Sequence, residues 1–413
     1  MILPSWPIFE TDELAAVDAV LRSGRINYWT GTACRDFEAA WSRSHAHGDA
    51  GLHSLTMANG SLTMDAALRA LGIGDGDEVI VSPRSYVASA MCVALTGATP
   101  VFADVDPESG CITAATAEAV RSPRTRAVIP VHIGGWPCDM PSICAWADRH
   151  NIRVMEDCAQ SHGATIDGRA VGTFGEVASW SFCQDKIMTT GGEGGMLAMR
   201  DESLAKRCWS YAQHGKDFDE AMSGHTPGSN GHFRWLVRHE GTNLRMTEMQ
   251  AAIGLVQLTK LPQWIAARRR NSLILQEALR TLPWLRVPQT PPGHAHYRCV
   301  AFVAADSRAT TANERDHLLA ALHDAGIPAA HGSCGEIYRE PYFVGAGFTP
   351  AAMGRGPLDV DGRLLVARAL GESSLTFFVH HTIGESAMRQ YADAVTVCLT
   401  RARRSVVAVV ATS

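Results

Sequence analysis

The sequence predicts an α/β fold: a large unit built on a mainly parallel mixed sheet, followed by a smaller C-terminal α+β unit. Three observations carry this reading. The first half alternates short β-rich runs with helical patterns, as repeated strand-helix-strand units do. The runs end at Pro, Gly or acidic residues, where strands stop. At 413 residues the chain can hold two or three domains of about 100 to 200 residues each.

Taken in order, Asn59-Gly60-Ser61 precedes Met64, Ala67, Leu68 and Leu71, the spacing of one helical face. Strands are expected over Glu78–Ser82, stopped by Pro83, over Ala127–His132, stopped by Gly134 and Gly135, and over Ile152–Met155, stopped by Glu156 and Asp157. Asp139 caps a helix through His150, with Pro141 in its first turn. Parallel sheets bind ligands beyond the carboxyl ends of their strands, which puts His132 and Asp157 on the functional rim. Residues 213–241 form a long polar loop, and long loops in compact chains are commonly functional. Thr247 and Glu248 open a helix that Pro262 ends or kinks before a second one runs to Leu279. A strand at Tyr297–Ala304 and a helix at Asn313–Ala325 follow. The expected division is residues 1–264 and 265–413.

Composition narrows the function classes. Charged residues make up 19% and the net charge is −5, so no basic field gathers nucleic acid. No run approaches the ~20 apolar residues of a membrane span, and the N-terminus lacks a basic segment followed by an apolar one. The eleven cysteines have neither paired nor zinc-like spacing, as expected of reduced thiols in a cytoplasmic protein without a metal site.

Lys186 stands between an apolar run and the glycines Gly191, Gly192, Gly194 and Gly195. A phosphate-binding P-loop places its lysine after the glycines, the reverse of this order. A lysine that forms a Schiff base with pyridoxal phosphate fits better, and makes demands elsewhere. The ring nitrogen needs a carboxylate, for which Asp157 is the candidate. The phosphate needs helix-start amides and hydroxyls, which Gly60 and Ser61 offer. The ring needs a flat wall, and Tyr86 can stack on it. Gly192–Gly195 would let the backbone pass close to the cofactor.

Together, Asn59–Ser61, Pro83–Ser89, Thr96–Asp106, Glu156–Ala164, Ser181–Lys186 with Gly192–Gly195, and Gly241–Ala252 resemble the DegT/DnrJ/EryC1/StrS aminotransferases. The resemblance implies the aspartate aminotransferase-like fold (fold type I of the pyridoxal-phosphate enzymes). It also implies a homodimer with shared active sites. By matching position, Lys186 would hold pyridoxal phosphate and Asp157 its ring nitrogen. Gln160 would lie near the 3-hydroxyl, Tyr86 on the ring, and Gly60, Ser61 and Ser181 at the phosphate. Asn243 of the partner chain would complete that phosphate site. Tyr86 stands where Trp or Phe is common. Relatives that are sugar dehydratases carry histidine in place of the lysine, and Lys186 argues against that variant.

The implied reaction moves an amino group from glutamate or glutamine to a keto-sugar, nucleotide-linked by preference, or to a keto-cyclitol. Arg245, His132, His162 and His214 are candidates for substrate contacts, and Lys216, Arg234 and Arg238 for a diphosphate site. The segments His331–Tyr338 and Phe377–His381 are expected to reach the substrate.

Overall fold

The computed structural model describes residues 3–45, 51–223, 236–304, 311–332, 334–344 and 364–412. Ser333 and residues 224–235 of the polar loop, Arg234 among them, lie outside the described residues.

The strands are β1 (His53–Met57), β2 (Glu78–Val81), β3 (Thr99–Phe102), β4 (Thr125–Ile129), β5 (Arg153–Asp157), β6 (Thr165–Ile166), β7 (Arg169–Ala170), β8 (Val177–Ser181) and β9 (Gly195–Met199). Seven of them form one sheet in the order β1-β9-β8-β5-β4-β2-β3, with β6 and β7 a separate ribbon. Pairings from β3 through β8 are parallel, and β9 runs antiparallel to both β8 and β1. This is the expected mainly parallel mixed sheet. Its central strands are buried on both faces; all four residues of β2 are inside, Glu78 included. That burial is tolerable for Glu78 because Ser122 donates to it at 2.5 Å and Arg124 pairs with it at 2.8 Å.

A second sheet of β10 (Leu285–Arg286), β11 (Cys299–Val303), β12 (Ala330–His331) and β13 (Ser374–Phe377) is antiparallel throughout, in the order β10-β11-β13-β12. Along β11 the side chains alternate between two cores. Phe302 packs with the first sheet's core, while Cys299, Ala301 and Val303 join Leu275, Leu318, Phe377 and Tyr391 in the second. Each large side chain buried in this way contributes roughly 1.5 to 3 kcal/mol.

Pro262, expected to end or kink its helix, does not end it. One helix runs from Glu248 to Leu279 with Pro262 inside it, opened by a reciprocal cap between Thr247 and Gln250. The helix packs against helices Thr11–Ser23, Ala33–His45 and Glu385–Thr412, with Leu261 and Trp264 buried on either side of the proline. That tertiary packing outweighs the hydrogen bond that Pro262 removes. Position 264 therefore lies inside a helix that both sheets share. Among the described residues, no helix is long and apolar enough to cross a membrane.

Candidate active site

The carboxyl ends of β5 and β8 open onto a cavity of about 340 Å³, a size suited to a small-molecule site. Gly60, Ser61, Tyr86, Asp157, Gln160, Ser181 and Lys186 all line it, joined by Asn59, Ser85, Ser89, Cys183, Asp185 and Glu193.

The helix Gly60–Ala70 starts at the cavity wall. Asn59 caps it, its Oδ1 accepting the Leu62 amide at 3.0 Å, and the first amides of a helix have no intrahelical acceptor. Only glycine fits at position 60, since a Cβ there would come within 2.7 Å of the Ser181 Cβ. The contact brings the helix start and Ser181 to one place. Gly195 has a related role, because its Cβ would meet the Asn59 carbonyl oxygen at 2.5 Å. Gly195 thus lets β9 pass against protein backbone, while Gly194 makes room for the side chains of Thr190, Met246 and Phe182.

The doublet Glu156-Asp157 divides between two environments, because successive strand residues face opposite sides of a sheet. Asp157 is 4% exposed and turns to the cavity. It accepts the Ser89 hydroxyl at 2.7 Å and the Ala159 amide at 3.1 Å. Glu156 faces inward and accepts the amides of Gly172, Phe174 and Gly175 at 2.7 to 2.8 Å, with His132 Nε2 at 3.2 Å. Burial opposes its charge, yet His132 and these amides prevail and hold the carboxyl below its ordinary pKa.

His132 is consequently not on the rim. It is fully buried, with the Cys138 amide donating to its Nδ1 at 3.0 Å. His162 is also withdrawn, enclosed by Trp41 and Phe182, and burial pushes its pKa down to about 3. His214 is exposed outside the cavity, and Arg245 donates to Gln213 Oε1 at 3.0 Å. None of these four candidates lines the cavity. Gln160 does, oriented by the Gly134 amide on its Oε1 at 2.7 Å and by its own Nε2 donating to Cys334 Sγ at 3.1 Å. Tyr86 is 67% exposed at the rim, an open flat face. Asn243 is exposed and outside this chain's own cavity, its Oδ1 accepting the Arg245 amide at 3.2 Å.

Lys186 sits in a loop closed on itself, Gln184 N donating to Gly192 O at 3.0 Å and Phe182 N to Gly194 O at 2.8 Å. Its side chain is 13% exposed. Burial works against its charge, but Tyr297 and Asp185 prevail and raise its pKa above the ordinary lysine value. Sequence reasoning missed four residues here: Ser89, Asp185, Tyr297 and Trp6, whose indole Nε1 donates to the Lys186 carbonyl at 2.9 Å. Position in a loop next to Lys186 could have flagged Asp185, whereas nothing local marks Trp6 or Tyr297. Cys334 brings the segment His331–Tyr338 to Gln160, whereas His381 stacks on Trp264 and His380 pairs with Thr382, away from the cavity.

The residues fit pyridoxal phosphate. A primary amine for its aldehyde, a buried carboxylate already holding two donors, and a helix start beside serine hydroxyls for its phosphate surround one cavity.

Comparison with known proteins agrees. Residues 7–351 match the model of the DegT/DnrJ/EryC1/StrS aminotransferase family. The chain is 38% identical over 281 residues to the UDP-N-acetyl-3-dehydro-alpha-D-glucosamine 3-aminotransferase of Acidithiobacillus ferrooxidans, covering 67% of this chain and 69% of that one. It is 35% identical over 334 residues to the L-glutamine:2-deoxy-scyllo-inosose aminotransferase of Streptomyces kanamyceticus, covering 79% and 72%. The structure superimposes on the crystal structure of an aminotransferase from Psychrobacter cryohalolentis with a TM-score of 0.88 and 41% identity, over 97% of this chain and 100% of that one. With a cavity built for the cofactor and relatives of this kind, the chain belongs to the DegT/DnrJ/EryC1/StrS family and is a pyridoxal-phosphate-dependent aminotransferase.

Proposed function

We propose that this aminotransferase takes its amino group from glutamate or glutamine and gives it to a nucleotide-linked keto-sugar, in amino-sugar or secondary-metabolite biosynthesis. The observation that carries the reading is the single cavity shared by Lys186, Asp157 and the Asn59–Ser61 helix start. The relative acting on a UDP-linked sugar supports the choice of acceptor.

Pyridoxal phosphate, when bound, supplies an electron sink that lets a carbon beside the transferred nitrogen release its proton. Lys186 Nζ holds the cofactor and is the group within the cavity suited to take up and return that proton. Asp157 keeps a proton on the ring nitrogen, its carboxylate oriented by Ser89 and Ala159. Gln160 meets the 3-hydroxyl, Tyr86 covers a face of the ring, and Gly60, Ser61 and Ser181 bind the phosphate. Asn243 of a second copy completes the phosphate site, so the working unit is a homodimer. Its compartment is the cytoplasm, in keeping with eleven unpaired thiols.

Nitrogen-labelled glutamine or glutamate, incubated with a panel of nucleotide-linked keto-sugars and free keto-cyclitols, tests this by mass spectrometry. Label in a nucleotide sugar is the expected result. Label only in a cyclitol would select the second reading, which the scyllo-inosose relative favours. A product formed without nitrogen would overturn both in favour of a dehydratase.

A further inference from the structure

Lys186 Nζ has a second set of neighbours besides those that serve the cofactor. Asp185 Oδ1 lies 3.6 Å from it, with the Asp185 side chain 46% exposed along the cavity. The other oxygen, Oδ2, accepts the hydroxyl of Tyr297. Tyr297 is buried, and the Lys186 ammonium lies 5.5 Å from its ring centroid. Arg298 packs its guanidinium over the same ring at 4.4 Å, fixing the tyrosine further. A lysine followed through its own sequence neighbours would give no hint of this, since Tyr297 is 112 residues from Asp185.

We propose that Asp185 and Tyr297 form a positioning pair that holds the Lys186 amine inside the cavity, and stabilises its ammonium form, whenever it is not bonded to the cofactor. Asp185 supplies the opposite charge. Tyr297 directs Asp185 by occupying its far oxygen and offers the ammonium an aromatic face. The consequence is a free lysine kept in place, whose ammonium, once the amine has taken up a proton, is stabilised until that proton is returned. The inference rests on Lys186 being the cofactor's attachment point.

The groups that act on Nζ are Tyr297, Asp185, Cys334 and Cys183, with Asp157 and Glu193 elsewhere on the cavity wall and buried His162 behind the loop. Burial pushes the two thiols' pKa values up, which leaves them uncharged near neutrality. Asp185 is the carboxylate in ion-pair contact.

The test uses protein stripped of cofactor with an amino-acid donor, then resupplied with pyridoxal phosphate while the return of visible absorbance is followed across pH. Only the neutral amine attacks an aldehyde, so the pH midpoint of the rate reports the Lys186 pKa. An opposite charge within ion-pair reach shifts a pKa by about 1 to 3 units. Asp185→Asn should therefore move the midpoint down by about one unit or more and speed uptake near pH 8. Tyr297→Phe, which keeps the ring, should shift it in the same direction by less. A merely structural role would lower the melting temperature and leave the midpoint unmoved, and coincident midpoints for wild type and Asp185→Asn would overturn the proposal. Should Asp185→Asn fail to fold, an unmoved midpoint in Tyr297→Phe overturns it equally. Failure of the cofactor assignment is separable: it would appear as visible absorbance surviving in Lys186→Ala.

Discussion

Asp157 and Tyr297 stand on two walls around Lys186 and reach it by different routes. Asp157 ends a parallel strand, and in a parallel sheet every carboxyl end lies on the same rim, so its place follows from local pattern plus topology. Tyr297 precedes a strand of the second sheet and meets Asp185 because it is buried in one core cluster with Phe182, Ile187 and Met188, which flank the Lys186 loop. Trp6 is a third case, reaching the Lys186 carbonyl from 180 residues away. In the roles we propose, the sheet-rim wall serves the cofactor and the wall assembled from afar positions the lysine itself.

Substitutions can break that contrast, in descending order of effect. Lys186→Ala should abolish amino transfer, by about 10⁴-fold or more, and remove the visible absorbance of the protein-linked cofactor. Asp157→Asn should lower kcat by about a hundredfold, roughly 3 kcal/mol, in steady-state assays, while the amide oxygen still accepts from Ala159, the Ser89 hydroxyl turns to accept from the new NH2, and the fold survives.

Glu156→Gln, the inward half of the doublet, should act on stability, costing about 3 kcal/mol because one amide oxygen cannot satisfy four donors. Its folded pKa is depressed, so the contribution is complete above about 4.3, the unfolded value, and drains away as pH falls through the folded one. Thermal unfolding from pH 7 down to pH 3 should show that the variant is least different from wild type at the acid end. Equal differences at every pH would refute the assignment.

Gly60→Ala forces a Cβ against Ser181 and should cost about 1 to 3 kcal/mol in denaturant unfolding, with weaker cofactor retention on dialysis. The smallest effect belongs to the distant wall. Trp6→Phe removes one hydrogen bond to the Lys186 carbonyl, worth about 1 kcal/mol, and should change activity by several fold in kcat rather than orders of magnitude.

Features whose cause is local were legible in the sequence. Asn59 caps a helix because a short amide side chain before an apolar stripe satisfies an exposed amide, and Asp139 caps another through Ser142 at 3.2 Å. The candidates that failed share the opposite property. His132 and His162 are polar residues near strand ends, and only their neighbours decide whether an imidazole faces ligand or core: Glu156 and Cys138 claim the first, Trp41 and Phe182 enclose the second. Pro262 was read by a rule about isolated helices, and packing on both sides of it overrode the rule.

By itself, then, the sequence determined the alternation of strands and helices, the mainly parallel sheet, and the cavity-lining Gly60, Ser61 and Lys186, because each follows from periodicity, capping or a place beside a glycine loop. Only the tertiary structure decided which carboxylate of Glu156-Asp157 faces the cavity and which distant residues lie beside Lys186. Those outcomes depend on strand orientation and on contacts between segments more than a hundred residues apart, which no short window of sequence contains.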